Sequence, residues 1–199
     1  MTRMFSTTAA AALTALAFTA PAHADPVAYA IDASHAQAIF SYNHLGMSTT
    51  FGMFSGWTGE ILFDADDPAS SSVTASIPTL AMFTGWEQRD GHFQSDDFFG
   101  TTEDDMVTFT STSIEVTGEN TALITGDLTI NDITQEITLD TVMNFSGAHP
   151  VPQMNGVPTV GFTGTTQILR SDFGAGMLVP FVSDEVDVTI SLEAMAPQG

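Results

Sequence analysis

Four histidines beyond the first two dozen residues, His35, His44, His92 and His149, are the side chains of this sequence best suited to ligate zinc or copper. Their spacing argues against a metal centre. No H-x-H or H-E-x-x-H pair occurs, and the nine-residue offset from His35 to His44 places the two on opposite faces of a regular strand. The four are read instead as caps, surface groups or polar groups of a pocket. Asp32, Ser34 and His35 are the residue types of a nucleophilic relay, yet near-adjacent positions on one extended segment do not provide the linear path from base to nucleophile that the chemistry needs. There is no G-x-S-x-G elbow and no glycine-rich phosphate loop. Asp64, Asp66 and Asp67 lack the downstream spacing of a calcium loop and read as a solvated turn.

Charge singles out two other side chains. Lysine is absent, and after residue 24 the only arginines are Arg89 and Arg170, set against 24 carboxylates for a formal charge of −22. Such a surface repels phosphate backbones and anionic lipid headgroups, which argues against nucleic-acid binding and membrane-surface docking. In so acidic a chain each arginine must meet a definite partner. Either it meets an anionic or polar ligand group, or it pairs with a local carboxylate, Asp90 or Asp96 for Arg89 and Asp172 for Arg170.

The elements that position these groups follow from periodicity. Val186, Val188, Ile190 and Leu192 alternate with polar residues, as on a strand with one buried face. Ile124, Gly126, Leu128 and Ile130 do the same, and Ile137, Leu139, Thr141, Met143 and Phe145 resume the alternation after Asn131-Asp132, so 121–145 reads as a hairpin. Ala38, Phe40, Tyr42 and His44, then Gly59, Ile61 and Phe63, share that phase. Only 83–99 breaks it, predicting one short helical segment near 84–99. About eight strands form either a sandwich or a closed barrel, and closure would remove exposed edges.

The first 24 residues have the make-up of a secretory signal: Arg3, the apolar run Ala9 to Ala20 and the A-x-A site Ala22-His23-Ala24. The remainder, 25–199, suits one domain with no second. Cysteine is absent, which excludes disulfides and thiolate metal sites, and no segment offers the roughly 20 unbroken apolar residues of a spanning helix. The aromatic and methionine-rich stretch 40–57 suits a core or the wall of a ligand cavity.

Several blocks together carry a resemblance. Tyr29-Ala30-Ile31-Asp32-Ala33-Ser34-His35, Asn43-His44-Leu45-Gly46 and Gly52-Met53-Phe54 are followed by Arg89-Asp90-Gly91-His92-Phe93, Ser95-Asp96-Asp97-Phe98-Phe99, Gly126-Asp127-Leu128-Thr129-Ile130 and Arg170-Ser171-Asp172-Phe173-Gly174. In order and spacing the chain resembles the YceI-like family of periplasmic polyisoprenoid-binding, lipocalin-like proteins. It departs at Ala36, where a small hydroxyl residue is common, and at Asn131-Asp132, where a glycine is common. The resemblance implies an all-β fold, an eight-stranded antiparallel lipocalin-like barrel with a helical segment beside its mouth. It implies carriage of a polyisoprenoid or isoprenoid quinone rather than catalysis, no covalent cofactor, a periplasmic address and no stable membrane insertion. A homodimer is left open. Parity and resemblance together nominate Phe40, Leu45, Phe54, Phe98, Phe99, Phe109, Leu128, Phe162 and Phe173 as wall, with Arg89, His92 and Arg170 at the headgroup. The competing readings are a lipid-modifying enzyme with His35, His44 or His92 as base, and a solid-core β-sandwich that mediates protein contacts.

Overall fold

The computed structural model describes residues 25–197; the signal-like segment 1–24 lies outside them. Eleven strands form one antiparallel sheet, in the order β1 (Val27–Ile31), β4 (Thr58–Phe63), β5 (Ser72–Pro78), β7 (Met106–Gly118), β8 (Thr121–Ile130), β9 (Ile133–Ala148), β10 (Pro158–Leu169), β11 (Glu185–Met195), β2 (Gln37–His44), β3 (Ser48–Phe54) and β6 (Met82–Phe83). β1 also pairs with β11, opposing Ile31 to Ala194, and this contact closes the sheet on itself.

Three strand pairs are single strands with a break. β1 and β2 both lie antiparallel to β11, separated by the 3-10 turn Ala33–His35. β3 and β4 are separated at 55–57, and β5 and β6 by the 3-10 turn Thr79–Ala81. Counting each once gives a closed eight-stranded antiparallel barrel, as the resemblance implies. Closure rather than a sandwich follows because a strand bent by a short turn can leave one neighbour and join another without exposing its backbone.

The expected hairpin is present as β8 and β9, paired from Thr121↔Val142 to Ile130↔Ile133. Its connection, Asn131 and Asp132, has φ of 52° and 59°. That is the type I′ geometry that matches strand twist, and Asn and Asp tolerate it better than other non-glycine residues. The expected helical segment is α1 (Glu87–Gln94). Its apolar content is too low to make it a core element, and none of its residues is buried. It lies in a gap in the barrel wall. β5 pairs with β7 as far as Pro78↔Met106, whereas the two-residue β6 pairs with β3 alone, so the wall parts between β6 and β7. Phe93 of α1 reaches Tyr42 of β2, ring centroids 6.1 Å apart.

The other end is packed solid. Tyr29, Ile31, Trp57 and Ile61 surround Val160 and Ala194, which face each other across β10 and β11 with no exposure to solvent. Near it, the Asp64 carboxylate accepts the backbone N–H of Asp66 and of Asp67, both at 2.9 Å, so the acidic turn is closed by its own first residue. Among the described residues no helix is long and apolar enough to cross a membrane.

Candidate ligand-binding cavity

Alternation sends every second side chain of each strand to the barrel interior. In β2 these are Ala38, Phe40, Tyr42 and His44; in β8, Ala122, Ile124 and Leu128; in β11, Val186, Val188, Ile190 and Leu192. They do not meet in the middle. They enclose a cavity of about 680 Å³ whose wall is overwhelmingly apolar, a size ordinary for a small-molecule site. It runs from α1 to the β7–β8 turn at Glu119 and Asn120.

Glycine helps to make this space. Gly52 lies under the Phe40 ring, and Gly126 under that of Phe109, so neither wall position could carry a Cβ without moving an aromatic ring. Such rings lie flat on the sheet and widen the tunnel. Phe40 also packs against Phe54, centroids 5.6 Å apart, and Phe63 against Phe162 at 6.2 Å.

Eleven of the twelve nominated residues line the cavity: Phe40, Phe54, Arg89, His92, Phe98 and Phe99, and further in Phe109, Leu128, Phe162, Arg170 and Phe173. Leu45 does not. It sits on the outer lip, 45% exposed, with φ of 58° and its N–H donated to the Phe181 carbonyl at 3.0 Å. The left-handed turn through Leu45 and Gly46 carries the side chain outward. Trp57, which the aromatic stretch 40–57 offered only as core or wall, lines the cavity, and sequence reasoning passed over Trp86, Leu178 and Val182 as lining residues. Trp57 could have been found by extending the phase of Ile61 and Phe63 backwards; the loop residues 178 and 182 carry no periodic signal.

The polar groups cluster at the α1 end. Arg89 donates from Nε to the Thr84 hydroxyl oxygen at 2.8 Å and from Nη2 to the Thr84 carbonyl at 2.7 Å. Thr84 in turn donates its N–H, at 2.8 Å, and its hydroxyl to Asp90. Arg89 thus reaches Asp90 through Thr84, which ties α1 to the end of β6. Trp86 lies under the guanidinium at 5.9 Å, a cation–π distance. His92 stands edge-on to Phe98, centroids 5.0 Å apart, with Nε2 3.4 Å from an Asp97 carboxylate oxygen.

Arg170 lines the cavity with its stem and spends its head on backbone. Nε donates to Ser183 O at 2.8 Å, Nη1 to the carbonyls of Ala175 and Met177, the latter at 2.8 Å, and Nη2 to Val182 O at 3.0 Å. Its partners are carbonyls of the loop 174–184, not the adjacent Asp172. Burial lowers its pKa from the ordinary guanidinium value, opposed by Asp184 and Tyr42.

The Asp32, Ser34 and His35 group lies outside the cavity, with Ser34 and His35 exposed and Asp32 half-buried. The Ser34 hydroxyl, at 3.0 Å, and Asp32 Oδ2, at 2.8 Å, both meet the same imidazole nitrogen, Nδ1 of His35. A relay needs base orientation on one ring nitrogen and nucleophile on the other. Asp32 Oδ1 also accepts the Ser34 N–H at 2.9 Å, so the trio caps the turn that breaks β1 from β2. Burial raises the Asp32 pKa, but hydrogen bonds from Ser34 and His35 outweigh it and hold the carboxyl below its ordinary value; the same bond holds His35 above its own. A depressed carboxyl stabilises the fold above its unfolded pKa, and the contribution is lost as pH falls through the folded one. Asp32→Ala should therefore cost about 1 kcal/mol near neutrality, the ordinary worth of an N-cap. That difference from wild type should shrink as pH falls from about 5 to below 3, as read by denaturant unfolding across that range. A deficit constant with pH would show that the carboxylate charge is not involved. Among the described residues no group of three or more histidines and carboxylates is arranged to hold a metal.

The barrel and its apolar tunnel define a lipocalin-like fold with a cavity of small-molecule size. Comparison makes this specific: the YceI-like domain model matches residues 29–194. A UPF0312 protein of Ectopseudomonas mendocina is 36% identical over 169 residues, covering 84% of this chain and 86% of its own. A UPF0312 protein of Shewanella baltica is 32% identical over 186 residues, covering 92% and 95%. Among solved structures, Burkholderia cenocepacia BcnA superimposes with a TM-score of 0.72 at 24% identity, over 82% of this chain and 99% of that one. A polyisoprenoid binding domain from Saccharophagus degradans does so with 0.64 at 17%, over 86% and 99%. The two structures share the fold. The chain belongs to the YceI-like family.

Proposed function

We propose that this protein is a periplasmic carrier that holds one isoprenoid chain in its barrel, with a neutral, quinone-like or reduced prenyl headgroup at the α1 end. The observation that carries this is the cavity itself, about 680 Å³ of largely apolar space inside the barrel. The Saccharophagus degradans domain of the same fold is described as polyisoprenoid-binding, and the signal-like N-terminus supports export. A neutral head is favoured because Arg170 spends its donors on four carbonyls and Arg89 spends two of its nitrogens on Thr84. Few arginine donors are left to grip a diphosphate, in a chain of −22 after residue 24. Carriage is favoured over catalysis because the relay-like trio Asp32, Ser34 and His35 lies outside the tunnel.

Transfer of a methylene from water is worth about 0.8 kcal/mol, so each isoprene unit adds on the order of 3 to 4 kcal/mol before ordering costs. Taking a methylene as about the size of one water, whose share of liquid volume is about 30 Å³, the cavity takes on the order of four to five units. Native mass spectrometry of protein purified from its own host, with organic extraction, should show one prenyl lipid per chain. Affinity for a quinone series should climb with tail length and flatten near that number. An empty protein whose affinity ignores tail length would remove the proposal.

A further inference from the structure

Around the tunnel mouth lies a group of large apolar side chains that the barrel does not bury. Met47 is 80% exposed, Phe181 72% and Trp86 57%, with Leu178 and Leu45 close behind. They belong to one structure. The β2–β3 turn and the loop 174–184 are tied by the Leu45 N–H to the Phe181 carbonyl, by a bridge between His44 and Val182, and by the Ser183 N–H to the Asn43 carbonyl at 2.9 Å. Trp86, Leu178, His44 and Val182 line the same cavity, which places the group on its lip.

Two further observations set it apart. Leu45 and Leu178 both hold left-handed backbone, φ of 58° and 64°, a conformation that strains a branched apolar residue and gathers at functional segments. In a chain with 24 carboxylates, neither 33–59 nor 173–183 contains one. The repulsion of anionic surfaces expected from composition therefore belongs to the body of the barrel and to α1, which borders the lip at Trp86, not to the β2–β3 turn and the loop 174–184. A cargo of the proposed kind does not dissolve in water, so it must be taken from and returned to a bilayer.

Resting on the carrier reading, we infer that the lip formed by the β2–β3 turn and the loop 174–184 is a docking surface for an electrically neutral lipid bilayer, set so that the tunnel opens onto the acyl region. Met47 and Phe181 enter the interface as apolar anchors without lining the tunnel. The acid-free lip lets the rest of the surface stand off, and bilayers rich in anionic lipid are disfavoured.

The test uses the full mature chain, its Met47→Asp, Phe181→Asp double variant, and vesicles of phosphatidylcholine alone or mixed with phosphatidylglycerol. Trp57 is buried, at 4% exposure, so a blue shift on adding vesicles reports Trp86. Wild type should float with phosphatidylcholine vesicles and shift its emission, less so with phosphatidylglycerol present. The variant should partition at least about tenfold more weakly per residue changed, yet bind a detergent-dispersed prenyl quinone as wild type does. A wild type that loads the quinone but never floats overturns the docking surface and leaves the carrier standing. A preference for anionic vesicles overturns it too, as does sedimentation showing that the double variant breaks a dimer. Flotation without quinone loading supports the surface and removes the carrier.

Discussion

Replacing Gly164 by leucine will weaken binding of a long prenyl quinone by roughly a hundredfold or more while leaving the barrel folded, because the new side chain takes the place of about four methylene-sized groups of ligand, worth about 3 kcal/mol. The site is chosen by its surroundings. Gly164 faces the tunnel from β10, and a Cβ there would meet only Thr141 Oγ1 at 3.5 Å and Leu139 Cβ at 3.9 Å, ordinary contacts. Its backbone is not left-handed, so the change also removes the entropic penalty of a strand glycine. The same substitution at Gly126 would bring Cβ to 2.5 Å from the Thr110 carbonyl oxygen and disrupt the wall. Titration of Gly164→Leu with quinones of increasing tail length should show short tails nearly unaffected and long tails excluded. Wild-type affinity for every tail would mean that the ligand does not occupy the tunnel at β10.

Removal of the Arg170 guanidinium should be the most destabilising single change on the protein's polar framework. In Arg170→Met four carbonyls, those of Ala175, Met177, Val182 and Ser183, lose a charged donor together. Hydrogen bonds to charged groups are worth about 1.5 to 3 kcal/mol each and are not additive, so a loss of about 3 kcal/mol is expected. For a domain of this size that lowers the melting temperature by about 6 to 12 °C. Arg170→Lys should recover less than half, since an ammonium cannot address four acceptors in a plane. Denaturant midpoints of the two variants check this, together with protease cleavage confined to 174–184. A methionine variant within about 0.5 kcal/mol of wild type would show that the loop holds itself.

The contrast between these residues shows what sequence can reveal. The tunnel wall was legible because strands with one buried face alternate: Phe40, Phe54, Phe109, Leu128 and Phe162 are found by parity whether that face packs solid or lines a cavity. Parity cannot distinguish the two outcomes. What leaves the interior open is the pairing of Phe40 with Gly52 and of Phe109 with Gly126, a relation across strands that no local pattern displays. Arg170 was recognisable as special from its rarity, but its partners are backbone oxygens, and these leave no trace in residue types. Leu45 lay outside because one left-handed turn reverses which way a side chain points. The breaks between β1 and β2 and between β5 and β6 were equally hidden. Only Asp32, a turn-capping residue two positions before Ser34, gave a sign of the first.

The parting of the wall between β6 and β7 has a consequence for kinetics. At the packed end every strand has two neighbours, so separating any pair there breaks the ring and amounts to global unfolding. At the mouth, β6 has one neighbour and α1 buries no side chain; this corner can swing aside at the cost of a few ring contacts and the Thr84 network. The barrel is therefore two objects in thermodynamic terms, a cooperative base and a hinged shoulder whose opening costs far less than unfolding. On the carrier reading proposed above, cargo wider than the resting mouth passes through the shoulder at a rate set by that local opening, while the base keeps the molecule intact.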